Sequence, residues 1–504
     1  MKRIAAMLLA AVLCCSLLIG CGQKEPENKD DAKDVLRVAS QSDVKSLDPA
    51  QAVDVHSANI YNDVYETLLT LDENKKIVPK LAEYEQVDDV TYLFKLKQGI
   101  RFHNGEELKA SDVVFTFRRG METALLAFIY GTVDTVEATD DYTVKVVLTT
   151  PSAPFLAAMT AVAASIVNEK AVTEAGDSYG MHPIGTGPYQ FVSWEQGVAV
   201  TLERYEDYWG EKPAYRQVVV RPIPEATNRT IELESGNVDI ALDIPVTDLS
   251  RVEAAENLNL LRQVSNSIRY LGFNCEAAPF DDVRVRQAFA YAIDVAALTK
   301  AVNGDTCEVA NAPFSPNIMY YKEDANAHEL SLEKAKSLLE EAGYGDGMEV
   351  TILTDERKEY MDIATIVQSQ LKELNVDVKI EVLEWATYLS RVYAGECQMY
   401  IIGWGCQTPN PDTVVYSPFH SSMKGNGGNM SFYDSAEADR LLELGRTTSD
   451  DAEREKIYYE LQELLIHDRP WIYLWVTEVF VGASDTIEHM ELDPVGTHCY
   501  YKVR

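Results

Sequence analysis

The sequence predicts an α/β fold of two or three domains, and three observations support this prediction. Short runs in which apolar and polar residues alternate, typical of strands, are interspersed with segments whose apolar residues recur at helical spacing. In the second half of the chain, capped amphipathic helices lead directly into strands. The chain has 504 residues, which is too long for one small core, and 46% of them are hydrophobic, enough to fold several domains.

The first 21 residues predict a lipoprotein signal peptide. Lys2 and Arg3 precede an apolar run, residues 4–20, that is too short for a comfortable bilayer span. The run ends in Leu18-Ile19-Gly20-Cys21, which resembles a bacterial lipobox. That resemblance implies cleavage before Cys21 and a lipid on its thiol; the alternative is an uncleaved anchor helix. Residues 22–34 are polar and are expected to form a flexible tether.

The charge balance argues against nucleic acid as a partner. The chain carries 80 acidic and 45 basic side chains, a formal net charge of -35, which would repel nucleic-acid phosphates and anionic lipid head groups. No later apolar run approaches membrane length. We therefore expect an extracytoplasmic protein that is anchored to the cell membrane only by the lipid on Cys21.

The cysteine pattern is uninformative about pairing. Five cysteines lie beyond Cys21, and their wide spacing excludes a CxxC zinc or redox site. An oxidising location permits one or two disulfides with at least one thiol left over.

The first half of the chain mixes strands and helices. The predicted elements are strands over residues 35–39, 92–96 and 144–148, a helix running through Tyr61 to Leu69, a hairpin-type turn at Asn104-Gly105, and a helix over residues 113–119 that Ser111 and Asp112 can cap.

The second half gives the clearest helices. The predicted elements are a helix that Asp281 and Asp282 cap and that ends near Gly304, a helix from Ser331 to Gly343, a helix over residues 363–374 with a strand after it over 376–383, a helix opened by Asp450 and Glu453, and a strand over 471–475.

The sequence offers no catalytic residue. Residues 176–180 fit the GxSxG pattern around Ser178, but a polar, helix-like segment precedes them and His182-Pro183 would interrupt a helix after them, so the strand and helix of a nucleophile elbow are missing. Two SxxK matches, at Ser42 and Ser331, lack a KTG partner. We therefore predict that the protein is not an enzyme.

No metal or cofactor site is predicted either. None of the eight histidines belongs to HExxH or another local ligand pair, and the chain has no phosphate loop and no dinucleotide fingerprint. His420, in a Pro-Phe-His-Ser segment, is the one histidine of interest, although a lone loop histidine is usually solvated or hydrogen-bonded.

A dozen short motifs, in order and at family spacing, carry a resemblance along nearly all of the chain after the tether. They include Ser46-Leu47-Asp48-Pro49-Ala50, Tyr65-Glu66-Thr67-Leu68, Val78-Pro79-Lys80-Leu81-Ala82, the run from Gly99 to Gly105, Ala110-Ser111-Asp112-Val113-Val114-Phe115, Gly185-Thr186-Gly187-Pro188-Tyr189, Tyr208-Trp209-Gly210, Ser235-Gly236-Asn237-Val238-Asp239, the run from Phe280 to Ala288, Glu341-Ala342-Gly343-Tyr344 and Gly403-Trp404. Together they resemble the peptide/nickel class of extracellular solute-binding proteins of ABC importers, family 5, which includes dipeptide- and oligopeptide-binding proteins.

The resemblance implies a two-lobed, periplasmic-binding-protein-like α/β fold with a hinge and an additional inserted domain. It divides the chain into lobe I (residues 35–72, 183–276 and 478–504), inserted domain II (73–182) and lobe II, or domain III (277–477). Closure about the hinge would trap the solute and present a closed shape to the permease.

The resemblance also implies where the solute binds. The stretch Gly403-Trp404-Gly405-Cys406-Gln407 is similar to a cleft-lining segment, with Trp404 as an apolar wall. Trp385 matches a cleft aromatic residue, Asn274 ends a strand that crosses between the lobes, and Arg357 is a candidate partner for a carboxylate. The alternative for either tryptophan is the core of a lobe.

One departure bears on the ligand. Several peptide-binding members have an Asp three residues after the Trp, which neutralises the ligand's ammonium; this chain has Gln407, which can accept a hydrogen bond but cannot balance charge. Asp412 could supply that charge, or the solute could be a longer peptide, a glutathione-like γ-peptide, a metal chelate or a glycoside.

The predicted function is therefore that of a monomeric, lipid-anchored binding protein without a cofactor. It would capture peptides or peptide-like small molecules and deliver them to ABC permease and ATPase subunits. Binding of a nickel or other metal chelate is the alternative.

Overall fold

The computed structural model describes residues 34–72, 75–425 and 428–504, and they form a mixed α/β fold. The predicted signal peptide, Cys21 and all of the tether except its last residue lie outside these ranges. Within them, no helix combines the length and the apolar character that crossing a bilayer requires.

Seventeen strands and fifteen α-helices are found in the described residues. The strands are β1 (Val35–Ser40), β2 (Leu69–Leu71), β3 (Ile77–Pro79), β4 (Ala82–Gln86), β5 (Thr91–Leu96), β6 (Val133–Asp140), β7 (Thr143–Leu148), β8 (Tyr189–Glu195), β9 (Ala199–Arg204), β10 (Gln217–Pro222), β11 (Ile240–Leu242), β12 (Leu258–Phe273), β13 (Glu308–Val309), β14 (Met348–Asp355), β15 (Val376–Leu383), β16 (Met399–Trp404) and β17 (Trp471–Ser484). The helices are α1 (Val55–Val64), α2 (Ala110–Met121), α3 (Ala127–Tyr130), α4 (Phe155–Ala158), α5 (Glu169–Ala175), α6 (Ala226–Glu234), α7 (Leu249–Glu253), α8 (Val283–Ala292), α9 (Val295–Asn303), α10 (Leu332–Glu341), α11 (Lys358–Leu371), α12 (Trp385–Tyr393), α13 (Pro411–Phe419), α14 (Ala436–Thr447) and α15 (Asp451–Asp468).

The largest sheet has its strands in the order β15-β14-β16-β12-β17-β11-β1-β10-β9-β8, with β13 paired to β17. The long strands β12 and β17 pair with each other in antiparallel register from Leu258↔Ser484 to Gly272↔Trp471. At one end β17 pairs with β11, and at the other end β12 pairs with β16. These two strands therefore join the two halves of the sheet, and their pairing is irregular between Val264 and Ile268.

A separate sheet in the order β4-β5-β7-β6 has its own core. Phe94 and Val146 on its strands are fully buried, together with Phe117 of α2 and Phe155 of α4. This unit lies within the predicted inserted domain, whose limits at residues 73 and 182 remain predictions.

Aromatic packing stabilises the half of the large sheet that carries β16. Tyr270 of β12 and Trp471 of β17 stack with ring centroids 3.7 Å apart, and Tyr400 of β16 meets Tyr270 edge-on. All three rings are almost completely buried, so this part of the sheet is a firm base for the residues at its surface.

Most predicted elements of the second half are confirmed, and their caps explain why. The side chains of Asp282, Ser331 and Asp450 accept hydrogen bonds from backbone N–H groups at the starts of α8, α10 and α15. The predicted strand over residues 376–383 coincides with β15, and the one at residue 471 begins β17.

Several predicted helices were wrong in extent. The helix over residues 113–119 begins earlier, at Ala110, so Ser111 and Asp112 lie in its first turn, and the helix over 363–374 runs from Lys358 to Leu371. The helix through Tyr61 ends at Val64, because Tyr65 has an extended backbone, and Leu69 instead begins β2. The helix that was predicted to run to Gly304 is two helices, α8 and α9, because Asp294 caps a second start by accepting from the Ala297 N–H at 2.9 Å.

The remaining motifs have local roles. Ser178 lies in a 3₁₀ turn directly after α5, and its hydroxyl donates to the Ala175 carbonyl at 2.7 Å.

The five described cysteines are free thiols, so the disulfides that an oxidising location would permit are not formed.

Candidate functional site

A cavity of about 530 Å³ lies at the surface of the half-sheet that carries β16. Residues 267–269 of β12 and 402–405 in and after β16 line one side. Helices α11 and α12 contribute the other side, including Tyr360, Trp385 and Tyr393. We call this cavity the guanidinium pocket, because the side chains of Arg269 and Arg357 both line it. It brings together four of the predicted site residues: Gly403, Trp404, Trp385 and Arg357.

Arg357 is held in place by one carboxylate and two aromatic rings, and part of its guanidinium has no partner among the described residues. Its Nε donates to Asp355 Oδ2 at 2.5 Å, and its guanidinium carbon lies 4.0 Å from the ring centre of Tyr360 and 4.5 Å from that of Trp385. Among the described residues, its two terminal nitrogens have no hydrogen-bond partner, and 47% of the side chain is exposed. The aromatic rings fix the plane of the guanidinium, and these nitrogens remain available as hydrogen-bond donors.

Arg269 lines the same pocket, and sequence reasoning missed it. Its Nε lies 3.0 Å from Glu359 Oε1, and its Nη1 donates to the Tyr360 hydroxyl at 2.7 Å. These bonds place Tyr360 beneath Arg357. A charged residue in an alternating strand is typical of a solvent face, so no sequence signal pointed to this role.

The glycines on either side of Trp404 allow two strands to approach closely. A Cβ atom at Gly405 would lie 2.0 Å from Ser267 Oγ, and one at Gly403 would lie 2.4 Å from Arg269 Nη1. The Trp404 indole donates to the Val414 carbonyl at 2.9 Å, which fixes its ring at the wall of the pocket.

A second cavity, of about 500 Å³, lies next along the same loop, and we call it the Cys406 pocket. It is lined by Cys406, Gln407 and Asp412, all predicted site residues, and by Met423. Phe128 of α3 lines it from the four-stranded-sheet unit. The pocket therefore lies between two units of the fold, and its walls are largely apolar.

Two predicted residues in this pocket have intramolecular partners. Gln407 Nε2 donates to the Val53 carbonyl at 3.2 Å and so links the loop to the segment before α1. The Cys406 thiol donates to the Thr408 carbonyl at 2.9 Å, and burial raises its pKa to about 12, so it stays neutral at physiological pH.

Asp412 does not offer a free carboxylate. Arg446 Nε and Nη2 each lie 3.0 Å from one of its two oxygens, and the Arg446 guanidinium stacks on Tyr416 at 3.4 Å. Asp412 thus lines the Cys406 pocket with its charge already paired, and its predicted role as a counter-charge for a ligand's ammonium stays a prediction.

Asn274 lies in the interior rather than at either pocket, which corrects its predicted position. Its side chain is almost completely buried, and its amide donates to the carbonyls of Gly395 at 2.8 Å and Cys397 at 3.1 Å. Its side-chain oxygen accepts from the Glu276 N–H at 3.0 Å. These bonds assign Asn274 to the turn that precedes β16.

His420 is also engaged by the protein. Its Nε2 lies 3.1 Å from Glu443 Oε1, and its Nδ1 accepts from the Ser422 N–H at 3.1 Å. Within the described residues, no group of three or more His, Cys, Asp or Glu side chains is arranged to hold a metal ion.

The two pockets lack an unpaired negative charge. The residues lining the guanidinium pocket include no Asp or Glu, and the one acidic residue lining the Cys406 pocket is Asp412. Aromatic rings and guanidinium groups thus dominate the chemistry of this site.

The Cys406 pocket lies at the junction of two units of the fold, a place where the ligand pockets of binding proteins preferentially occur. Comparison with protein families makes the assignment specific. The model "Bacterial extracellular solute-binding proteins, family 5 Middle" matches residues 76–426, and the chain belongs to this family.

Three proteins illustrate its relatives. The chain is 30% identical to the glutathione-binding protein GsiB of Pectobacterium atrosepticum, over 90% of each chain. It is 29% identical to the solved structure of DppA from Helicobacter pylori in complex with the peptide STSA, with a TM-score of 0.79 and coverage of 94% of this chain and 99% of that one. For NikZ from Campylobacter jejuni in complex with Ni(L-His), the identity is 25%, the TM-score 0.79, and the coverage 94% and 99%. These structural matches confirm the predicted two-lobed fold.

Proposed function

We propose that the protein is the solute-binding component of an ABC importer and that it captures peptides or peptide-like solutes between its lobes. The observation that carries this proposal is that the two terminal nitrogens of Arg357 have no partner among the described residues. Its guanidinium is held against Tyr360 and Trp385 in the guanidinium pocket. A planar cation of this kind suits the carboxylate of a peptide. The relatives that bind glutathione and the peptide STSA support the same class of solute.

The charges in the two pockets restrict the class of solute that they can bind. With Gln407 neutral and Asp412 paired to Arg446, neither pocket presents a carboxylate to an α-ammonium. Burying an unpaired ammonium is costly, so the favoured solutes keep their amine in water or have none at that end. Longer peptides and γ-linked peptides fit this description, and Trp404 would provide an apolar wall for them.

Native mass spectrometry of gently purified protein lacking residues 1–33 tests the proposal. Denaturing the same sample releases whatever the cleft retains, so the masses of the released molecules can be read directly. We expect a series of peptide masses. A single non-peptide mass would overturn the peptide assignment. Retention of the solute should be abolished in Arg357→Met but not in Arg440→Met, which removes an exposed guanidinium elsewhere in the chain.

A metal chelate is the second candidate solute, and the likeness to NikZ in complex with Ni(L-His) favours it. A metal that arrives with its own ligands needs few donors from the protein. Metal analysis of protein purified without added metal separates the candidates: stoichiometric nickel supports the chelate, and metal-free protein carrying peptides refutes it.

The proposal has three further parts. The protein acts as a monomer, it delivers its solute to a permease, and it is attached to the membrane through a lipid on Cys21. Incorporation of labelled palmitate into the full chain checks the anchor. We expect labelling of the natural chain and none of Cys21→Ser, and equal labelling of both would contradict the anchor.

A further inference from the structure

A third cavity, of about 650 Å³, shares no lining residue with the two pockets described above. It lies between α8, α15 and the segment 322–329. Arg469, the residue that ends α15, lines this cavity, and we call it the Arg469 cavity.

The Arg469 guanidinium is buried without a partner. The residue is 8% exposed, its Nη1 is completely buried without a hydrogen bond, and its side chain makes no ion pair among the described residues. Burial lowers the pKa of its guanidinium, and electrostatic interaction with Tyr473 and Tyr291 offsets part of this effect. The Tyr473 hydroxyl is itself buried and unpaired.

Arg229 is another buried arginine, and it differs from Arg469 in the number of hydrogen-bond acceptors around its guanidinium. Arg229 is 2% exposed, and its three nitrogens donate to four backbone carbonyls, of Leu242, Ile223, Pro224 and Asp243, at 2.8 to 3.1 Å. Arg469 has no such set of acceptors. Leaving a buried guanidinium without acceptors is costly, so Arg469 is suited to a ligand that brings its own negatively charged oxygens.

The carboxylates at the rim of the cavity are engaged by lysines rather than by Arg469. Lys322 lies 2.6 Å from Asp324 and 3.4 Å from Glu463, and Glu329 lies 2.6 Å from Lys334. None of these carboxylates forms an ion pair with Arg469, so its positive charge has no direct partner among the described residues. The rim carboxylates would repel an ion with several negative charges more strongly than an ion with one.

We propose that the Arg469 cavity is a second binding site, distinct from the solute cleft, for a small oxyanion with a single negative charge, namely a carboxylate. One carboxylate can accept two hydrogen bonds from a guanidinium. The volume of the cavity admits a small organic acid rather than only an ion.

Isothermal titration calorimetry with sodium acetate at constant ionic strength, in Tris and chloride, tests the site. We expect acetate to bind the wild-type protein and Arg469→Met to weaken binding at least ten-fold. Arg440→Met, an exposed arginine that lines none of the three cavities, should bind as the wild type does.

A second pair of variants leaves Arg469 in place, so the test does not depend on the folding of Arg469→Met. Glu463→Gln removes a rim carboxylate and should tighten acetate binding about three-fold. Glu460→Gln removes the same charge from an exposed position of α15 that does not line the cavity and should change nothing.

Three results would overturn the proposal. They are the absence of acetate binding by the wild type, equal acetate affinities of Arg469→Met and Arg440→Met, and equal effects of the two glutamate variants. A parallel titration with inorganic phosphate distinguishes the ion: weaker binding than acetate is expected, and tighter binding would refute the assignment of a singly charged carboxylate.

Discussion

Asp412 and Arg446 form a two-pronged ion pair, in which two nitrogens of the guanidinium each lie 3.0 Å from a different carboxylate oxygen. The pair stands at the wall of the Cys406 pocket, where Asp412 is 5% exposed. The Arg446 carbonyl also accepts a hydrogen bond from the Ala153 N–H at 2.9 Å, which ties α14 to the segment before α4. The charge of this acidic residue is therefore already paired within the wall of the pocket.

Asp412→Asn should destabilise the protein by about 3 kcal/mol, because it leaves the Arg446 guanidinium partly buried without its counter-charge. Urea unfolding measures the change. As the matched control, Glu437→Gln breaks the exposed pair with Arg440 and should cost less than about 0.5 kcal/mol. Equal costs for the two variants would contradict a structural role for the buried pair.

Gln407→Asp should change which end of a peptide is recognised. The substitution places a carboxylate in a pocket that has no unpaired one, so peptides with a free amine should gain about ten-fold over their N-acetylated forms. Calorimetry with the peptide Ser-Thr-Ser-Ala and its N-acetyl derivative gives this ratio. Gln407→Asn keeps the pocket neutral and should leave the ratio as in the wild type; a similar shift in both variants would refute a charge effect.

Gly405→Ala should distort the guanidinium pocket. The added methyl group would lie 2.0 Å from Ser267 Oγ and 2.8 Å from Ser267 Cβ, so β12 and the loop after β16 must separate, at a cost of about 1–3 kcal/mol. Urea unfolding and binding of the natural solute should both report the loss. Ser267→Gly removes both atoms, so the double variant should recover most of the stability, and a double variant no better than Gly405→Ala would argue against this contact.

The sequence predicted the first residues of a helix well where a single capping side chain determines them. Asp282, Ser331 and Asp450 each cap a helix through bonds within two or three residues, and such local chemistry is visible in a single sequence. Asp294 was missed because the apolar face of α8 continues into α9, so the periodicity conceals the break.

The site was predictable only where a motif marks it. Gly403 and Trp404 were found through the family resemblance, but the roles of Arg269 and Phe128 depend on neighbours more than 75 residues away in the chain. The position of Asn274 and the pairing of Asp412 were missed for the same reason, since their partners Cys397 and Arg446 are distant in sequence. Contacts of this kind follow from the tertiary fold and leave no local pattern.

Acid should destabilise the protein through His103. The Gly185 N–H donates to His103 Nδ1 at 3.3 Å, so Nδ1 is an acceptor and the proton resides on Nε2, which donates to the Gly187 carbonyl at 2.9 Å. Burial lowers the pKa of His103 to about 4. Between about pH 6.5 and pH 4 the unfolded chain therefore binds a proton that the folded chain excludes, and stability falls as the pH falls.

The expected loss from His103 alone is about 2 kcal/mol between pH 7 and pH 5. His103→Asn should be less stable at pH 7, because it loses these hydrogen bonds, yet its stability should decline less on acidification. Urea unfolding at the two pH values gives both quantities. His467→Asn, at a position 70% exposed, should retain the wild-type pH dependence, and an undiminished decline in His103→Asn would show that the acid sensitivity arises elsewhere.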